Sequence, residues 1–110
     1  MKKIYLIHGW DGSPEEPMHQ WIRKTLAKKG FVVIAPEMPN PAVPEIKSWI
    51  KKIKEVVGVL DKESIFIGHS VGCQAILRYL ETLDKKEKIA KLILIAPWMY
   101  LDEKTIEEEG

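Results

Sequence analysis

The chain has 110 residues, 45% of them apolar, which suits a single domain with a core of its own. Its 17 basic and 16 acidic residues are interspersed and leave a net charge of +1. That pattern offers no basic stripe for nucleic acid and no patch for an anionic membrane, so neither partner is expected.

In chain order, the first apolar run, Ile4 to Ile7, reads as a strand. It follows Met1-Lys2-Lys3 directly and is too short for a signal-peptide core or a membrane span, so a cytoplasmic protein is expected. The single cysteine, Cys73, allows no internal disulfide, in keeping with a reducing compartment. Ser13-Pro14-Glu15-Glu16 supplies an N-cap serine, a proline at the first helical position and a glutamate three residues on, with Gly30 at the far end. These signals predict a helix from about Pro14 to Lys29.

Phe31 to Ala35 is the second strand-like run. A second helix starts near Pro44 and sets Ile46, Trp49, Ile50, Ile53, Val57 and Leu60 at spacings of three and four, giving one apolar stripe. Ser64 to Ile67 is a third strand. The helix after it follows Ser70, carries Val71, Ala75, Ile76, Tyr79, Leu80 and Leu83, and ends near Asp84. Lys85-Lys86-Glu87-Lys88 reads as a solvated turn into a last strand, Leu92 to Ala96. No internal repeat, low-complexity tract or linker interrupts this order.

Strands alternating with helices imply an α/β fold with a parallel sheet, whose strands are nearly continuous apolar runs because both faces are covered. Right-handed crossovers place the first helix on one face and the second and third on the other. The first helix must then cover a face shared by four strands. The acidic tail Asp102 to Glu109 carries only Ile106 to help it, so apolar sheet surface is left over. A homo-oligomer or a complementing chain is expected over that surface.

The strongest chemical signal lies between the third strand and the third helix, where Gly68-His69-Ser70-Val71-Gly72 matches G-x-S-x-G. In a nucleophile elbow, a strand turns sharply into a helix and exposes the central serine, and the flanking glycines allow the backbone crowding. A serine at this place can also simply cap the helix. Strand before and helix after favour the elbow, with Ser70 as the nucleophile.

With these residues in place the chain resembles the α/β-hydrolase superfamily, in particular its small, cap-poor serine hydrolases of the YdeN and retinoblastoma-binding-protein-nine type. The likeness runs through His8-Gly9-Trp10, Gly12-Ser13-Pro14, His19-Gln20-Trp21, Met38-Pro39-Asn40-Pro41, the elbow and Ala96-Pro97-Trp98. It implies the strand order 2-1-3-4 with Ser70 central. It also implies hydrolysis of small ester or amide substrates, with backbone N–H groups of Val71 and Trp10 as the oxyanion hole.

A serine needs a base, and the superfamily order is Ser, then Asp or Glu, then His. No histidine follows His69, so the expectation is that residues 1–110 form one incomplete domain, the N-terminal portion of such an enzyme. Two further strand-helix units of about 30 residues each would hold the missing acid and base. Within the chain, His8 is expected to brace its loop, with the role of base as the alternative. Together with His69 and Trp98 it forms the expected substrate-contacting set. His69 is otherwise a packed or loop-bonding group, and Trp98 beyond the last strand suits an acyl pocket, for which Trp10 and Tyr100 are further candidates.

His19 is expected to pack or bond beside Trp21. Asp11 would brace the oxyanion loop, Asp102 comes too early in the chain to be the acid, and Cys73 would be a small buried apolar group. No Cys/His spacing suggests a metal and no phosphate loop suggests a nucleotide, so no cofactor is expected. The rival to a hydrolase is a catalytically silent interaction domain that keeps the fold and binds a partner through the uncovered sheet face.

Overall fold

The near-continuous apolar runs build the sheet and the amphipathic segments between them flank it. In the computed structural model, which describes residues 2–95, the order is β1 (Lys3–Ile7), α1 (Pro17–Lys28), β2 (Val32–Ile34), α2 (Ile46–Val57), β3 (Ile65–His69), α3 (Val71–Glu81) and β4 (Lys91–Ile95). All neighbouring strands are parallel and lie in the order β2-β1-β3-β4, the α/β-hydrolase arrangement. Tyr5 pairs with Ile34 on one side and with Phe66 on the other, and His69 pairs with Ile95. The two central strands therefore end where the candidate residues lie.

Alternation along β1 splits the core into two layers. Tyr5 and Ile7 point to the face covered by α2 and α3, where Trp49, Ile53, Phe66, Ala75, Ile76 and Tyr79 are buried with them. Tyr5 stacks on Phe66 at 5.1 Å between ring centroids. Each such large side chain contributes about 1.5–3 kcal/mol by leaving water. Ile4, Leu6 and Ile67 point to the other face, where α1 brings Ile22 and part of Leu26. Ile93, beside Ile67 in the sheet, stays 40% exposed on that thinner side. No helix among the described residues is long and apolar enough to cross a membrane.

Element ends depart from the sequence reading for local reasons. The first helix starts at Pro17, not Pro14, because a residue before proline is pushed out of the helical region, and Glu16 is extended at φ −58°, ψ 143°. Ser13 instead closes a separate turn, its hydroxyl accepting the Glu15 N–H at 3.1 Å. The second helix begins at Ile46, after an extended Glu45. The third stops at Glu81, where the Thr82 hydroxyl donates to the Tyr79 carbonyl at 2.6 Å. The third strand continues past Ile67 to His69, which brings the turn at Ser70 directly onto the sheet's carboxyl edge.

Candidate active site

Ser70 is the single residue between β3 and α3, half-buried, with φ 55° and ψ −124°. For a residue with a Cβ this conformation costs on the order of 1–3 kcal/mol and persists only where the surroundings impose it. Two hydrogen bonds help to impose it. Its N–H donates to the Ile95 carbonyl at 3.0 Å, and its own carbonyl accepts from the Cys73 N–H at 3.0 Å. The hydroxyl makes no cap bond to the helix, so the helix-cap alternative does not describe this serine.

The flanking glycines let the backbone come this close. A Cβ on Gly72 would lie 2.5 Å from the carbonyl oxygens of both Ile7 and His8, and one on Gly68 would lie 2.9 Å from Cys73 Cα. A side chain at either position would push α3 off β1 and β3. Cys73, fully buried just inside the helix, has its thiol pKa pushed up by burial and directs Sγ to the Ile95 carbonyl at 3.7 Å.

The loop after β1 runs against the same turn. A Cβ on Gly9 would be 2.8 Å from Ser70 Cβ and 3.1 Å from the His69 carbonyl oxygen, so the backbone leading into Trp10 borders the serine. Met38-Pro39-Asn40-Pro41 straps this loop. The Asp11 N–H donates to the Pro41 carbonyl at 2.6 Å and Trp10 Nε1 to the Ala42 carbonyl at 2.7 Å. Behind the strap, Trp49 Nε1 of α2 donates to the Pro39 carbonyl at 2.8 Å. Among the described residues, Asp11 and Asn40 join Ser70 as the non-glycine residues with positive φ, which gathers the backbone strain on these loops and the Ser70 turn.

His8 occupies the join between the two loops. Its Nε2 accepts the Met38 N–H at 2.9 Å, and Nδ1 donates to the Gly9 carbonyl at 2.9 Å, which sets the neutral tautomer. It is 1% exposed, and burial holds its pKa below the usual histidine value. Both ring nitrogens thus serve backbone groups, and the ring braces the two loops against each other.

The expected pairing of His19 with Trp21 is corrected. Residues two apart project from different sides of a helix, and Trp21 is 67% exposed while His19 is fully buried. His19 meets His69 instead, edge to face at 5.4 Å between ring centroids. Among the described residues, neither ring nitrogen of His19 has a hydrogen-bond partner, nor does Nδ1 of His69. A buried polar group left in this state costs about 1–3 kcal/mol. Burial lowers the His19 pKa, with Glu16 opposing, and Nε2 lies 3.8 Å from Glu16 Oε2. Reading spacing along the chain missed this triad of Glu16, His19 and His69, whose ligand atoms all fall within 4.8 Å of one another. Trp98, Tyr100, Asp102 and Ile106 lie outside the described residues.

Comparison with known proteins agrees with this fold. A family model described as serine hydrolase matches residues 4–109. YdeN of Bacillus subtilis (strain 168), named as a hydrolase, is 32% identical over 95 residues, covering 86% of this chain and 50% of that protein. The serine hydrolase RBBP9 of Rattus norvegicus is 33% identical over 92 residues, 83% of this chain and 42% of its own length. The crystal structure of the B. subtilis ydeN gene product superposes with a TM-score of 0.80 over 86% of this chain and 50% of that one. A YdeN-like hydrolase structure from Pectobacterium atrosepticum, 24% identical with a TM-score of 0.64, shares the fold; the match spans 87% of this chain and 49% of that one. The chain thus spans about half the length of the curated relatives it matches.

Proposed function

Because the chain belongs to the serine hydrolase family, we propose that Ser70 is the nucleophile of an acyl-transfer site that hydrolyses small ester or amide substrates. The observation that carries this reading is the backbone of Ser70, a non-glycine residue held at φ 55°, ψ −124° between a strand and a helix with its hydroxyl unused as a cap. In the reaction Ser70 Oγ adds to the substrate carbonyl. The negative charge that develops on the carbonyl oxygen is met by the backbone N–H groups of Val71 and Trp10, one at the start of α3 and one on the loop that borders Ser70. The positive end of the α3 dipole favours charge at the same place.

The serine proton needs an acceptor. His8 is committed to the Met38 N–H through Nε2, and no histidine follows His69 in the chain. The acid and base are thus assigned to chain outside these 110 residues or to a partner. Oxyanion donors and binding alone sustain roughly 10³ to 10⁴-fold acceleration over water, far below a complete triad. A fluorophosphonate probe read by mass spectrometry tests the assignment. Slow labelling confined to Ser70, absent in Ser70→Ala and unchanged in His8→Ala, is the expected result. Equal labelling of Ser70→Ala would remove Ser70 as nucleophile, and rapid labelling that vanishes in His8→Ala would make His8 the base.

A further inference from the structure

We propose that Glu16, His19 and His69 form a binding site for a divalent transition-metal ion of the zinc class, which ties the start of α1 to the nucleophile turn. The donor set is two imidazoles and one carboxylate, the composition that zinc accepts with a fourth position left for water. Their ligand atoms all lie within 4.8 Å of one another, and Glu16 Oε2 is 3.8 Å from His19 Nε2. Bonds of about 2.0–2.1 Å in a tetrahedron would bring the donors to roughly 3.3 Å apart. Glu16 can make most of that adjustment, since its side chain is 40% exposed.

An independent observation points to a ligand. His19 is fully buried, yet among the described residues neither of its ring nitrogens has a hydrogen-bond partner, and Nδ1 of the facing His69 is in the same condition. Buried polar atoms are almost always satisfied, and two imidazoles meeting edge to face without a donor or acceptor between them are accounted for by a cation held there. Arg23, one turn along α1, is drawn to Glu15, with Nη2 at 3.3 Å from Oε1. The three donors come from the turn before α1, from α1 itself and from the end of β3, so a bound ion cross-links parts of the chain that are distant in sequence.

The test uses the untagged 110-residue chain, stripped with a chelator and titrated with Zn²⁺ and, as a coloured probe, with Co²⁺. One ion per chain is expected, with the intense visible bands of four-coordinate cobalt and X-ray absorption of the zinc form showing two imidazoles. His69→Gln and Glu16→Gln, each confirmed folded by circular dichroism, should weaken binding at least tenfold, and Zn²⁺ should raise the melting temperature of the unaltered chain more than that of either variant. The X-ray absorption measurement needs no variant, so a misfolded substitution leaves the question decidable. A folded chain that takes up no ion overturns the site. So does an ion bound without imidazole, or affinity unchanged in both variants.

Discussion

Substituting glycine for Ser70 removes the Cβ that makes φ 55°, ψ −124° unfavourable and leaves the neighbouring hydrogen bonds to backbone atoms intact. The strain released is on the order of 1–3 kcal/mol. Against it stands the greater freedom that glycine gives the unfolded chain, worth about 0.4–1 kcal/mol. Strain is the larger quantity, so Ser70→Gly should stabilise the protein by roughly 0.5–2 kcal/mol, which for a domain near this size raises the melting temperature by about 2–15 °C. Ser70→Ala is the control. It keeps the Cβ and therefore the strain, and should fall within about 0.5 kcal/mol of the parent. Urea unfolding gives the comparison through midpoints at constant slope, and both variants should lose fluorophosphonate labelling. If Ser70→Gly proved no more stable than Ser70→Ala, the turn would not be strained by its side chain, and the structural argument for Ser70 as nucleophile would fail.

Gly72→Ala should be destabilising by about 1–3 kcal/mol although alanine is the better helix former by about 1 kcal/mol, because the new methyl meets the backbone oxygens of Ile7 and His8, which central β1 cannot move; a higher urea midpoint would contradict this. Cys73, buried and with its thiol pKa raised, should resist iodoacetamide in the native chain and react when the chain is unfolded, as peptide mapping would show; native-state alkylation at the unfolded rate would mean that the thiol is accessible. Burial lowers the folded pKa of His8, so the unfolded chain takes up its proton first: the stabilisation from neutral His8 is complete above the unfolded value of about 6.5 and is lost as pH falls through the folded pKa. Measured in chelator, the stability advantage of the parent over His8→Gln should therefore shrink from about pH 7 to about pH 5, and a difference that stays constant over that range would show that His8 does not titrate between the folded and unfolded states.

The strand-to-helix turn at Ser70 was legible in the sequence because everything it needs is local. Gly68, Ser70 and Gly72 sit at fixed offsets between an apolar run and a helical stripe, and steric crowding at a strand-helix turn acts over those few residues. The two-sided burial of the strands was legible for a similar reason, since continuous apolar character over Ile4 to Ile7 requires cover on both faces. The late start of α1 could also have been read, from the effect of Pro17 on Glu16.

Which side chains meet across the fold is another matter. His19 and Trp21 stand two apart in one helix, yet the helical turn sends one into the core and leaves the other in solvent. His69 reaches His19 only because α1 and the end of β3 are brought to the same edge of the sheet. For His8, the strap that begins at Met38 folds back to place its N–H on Nε2, while Nδ1 serves the Gly9 carbonyl of its own loop. Periodicity and turn chemistry act through neighbours in the chain, so a sequence records them directly. The partners of a buried polar group are chosen by crossovers between distant segments, and only the packed sheet brings those segments within bonding distance.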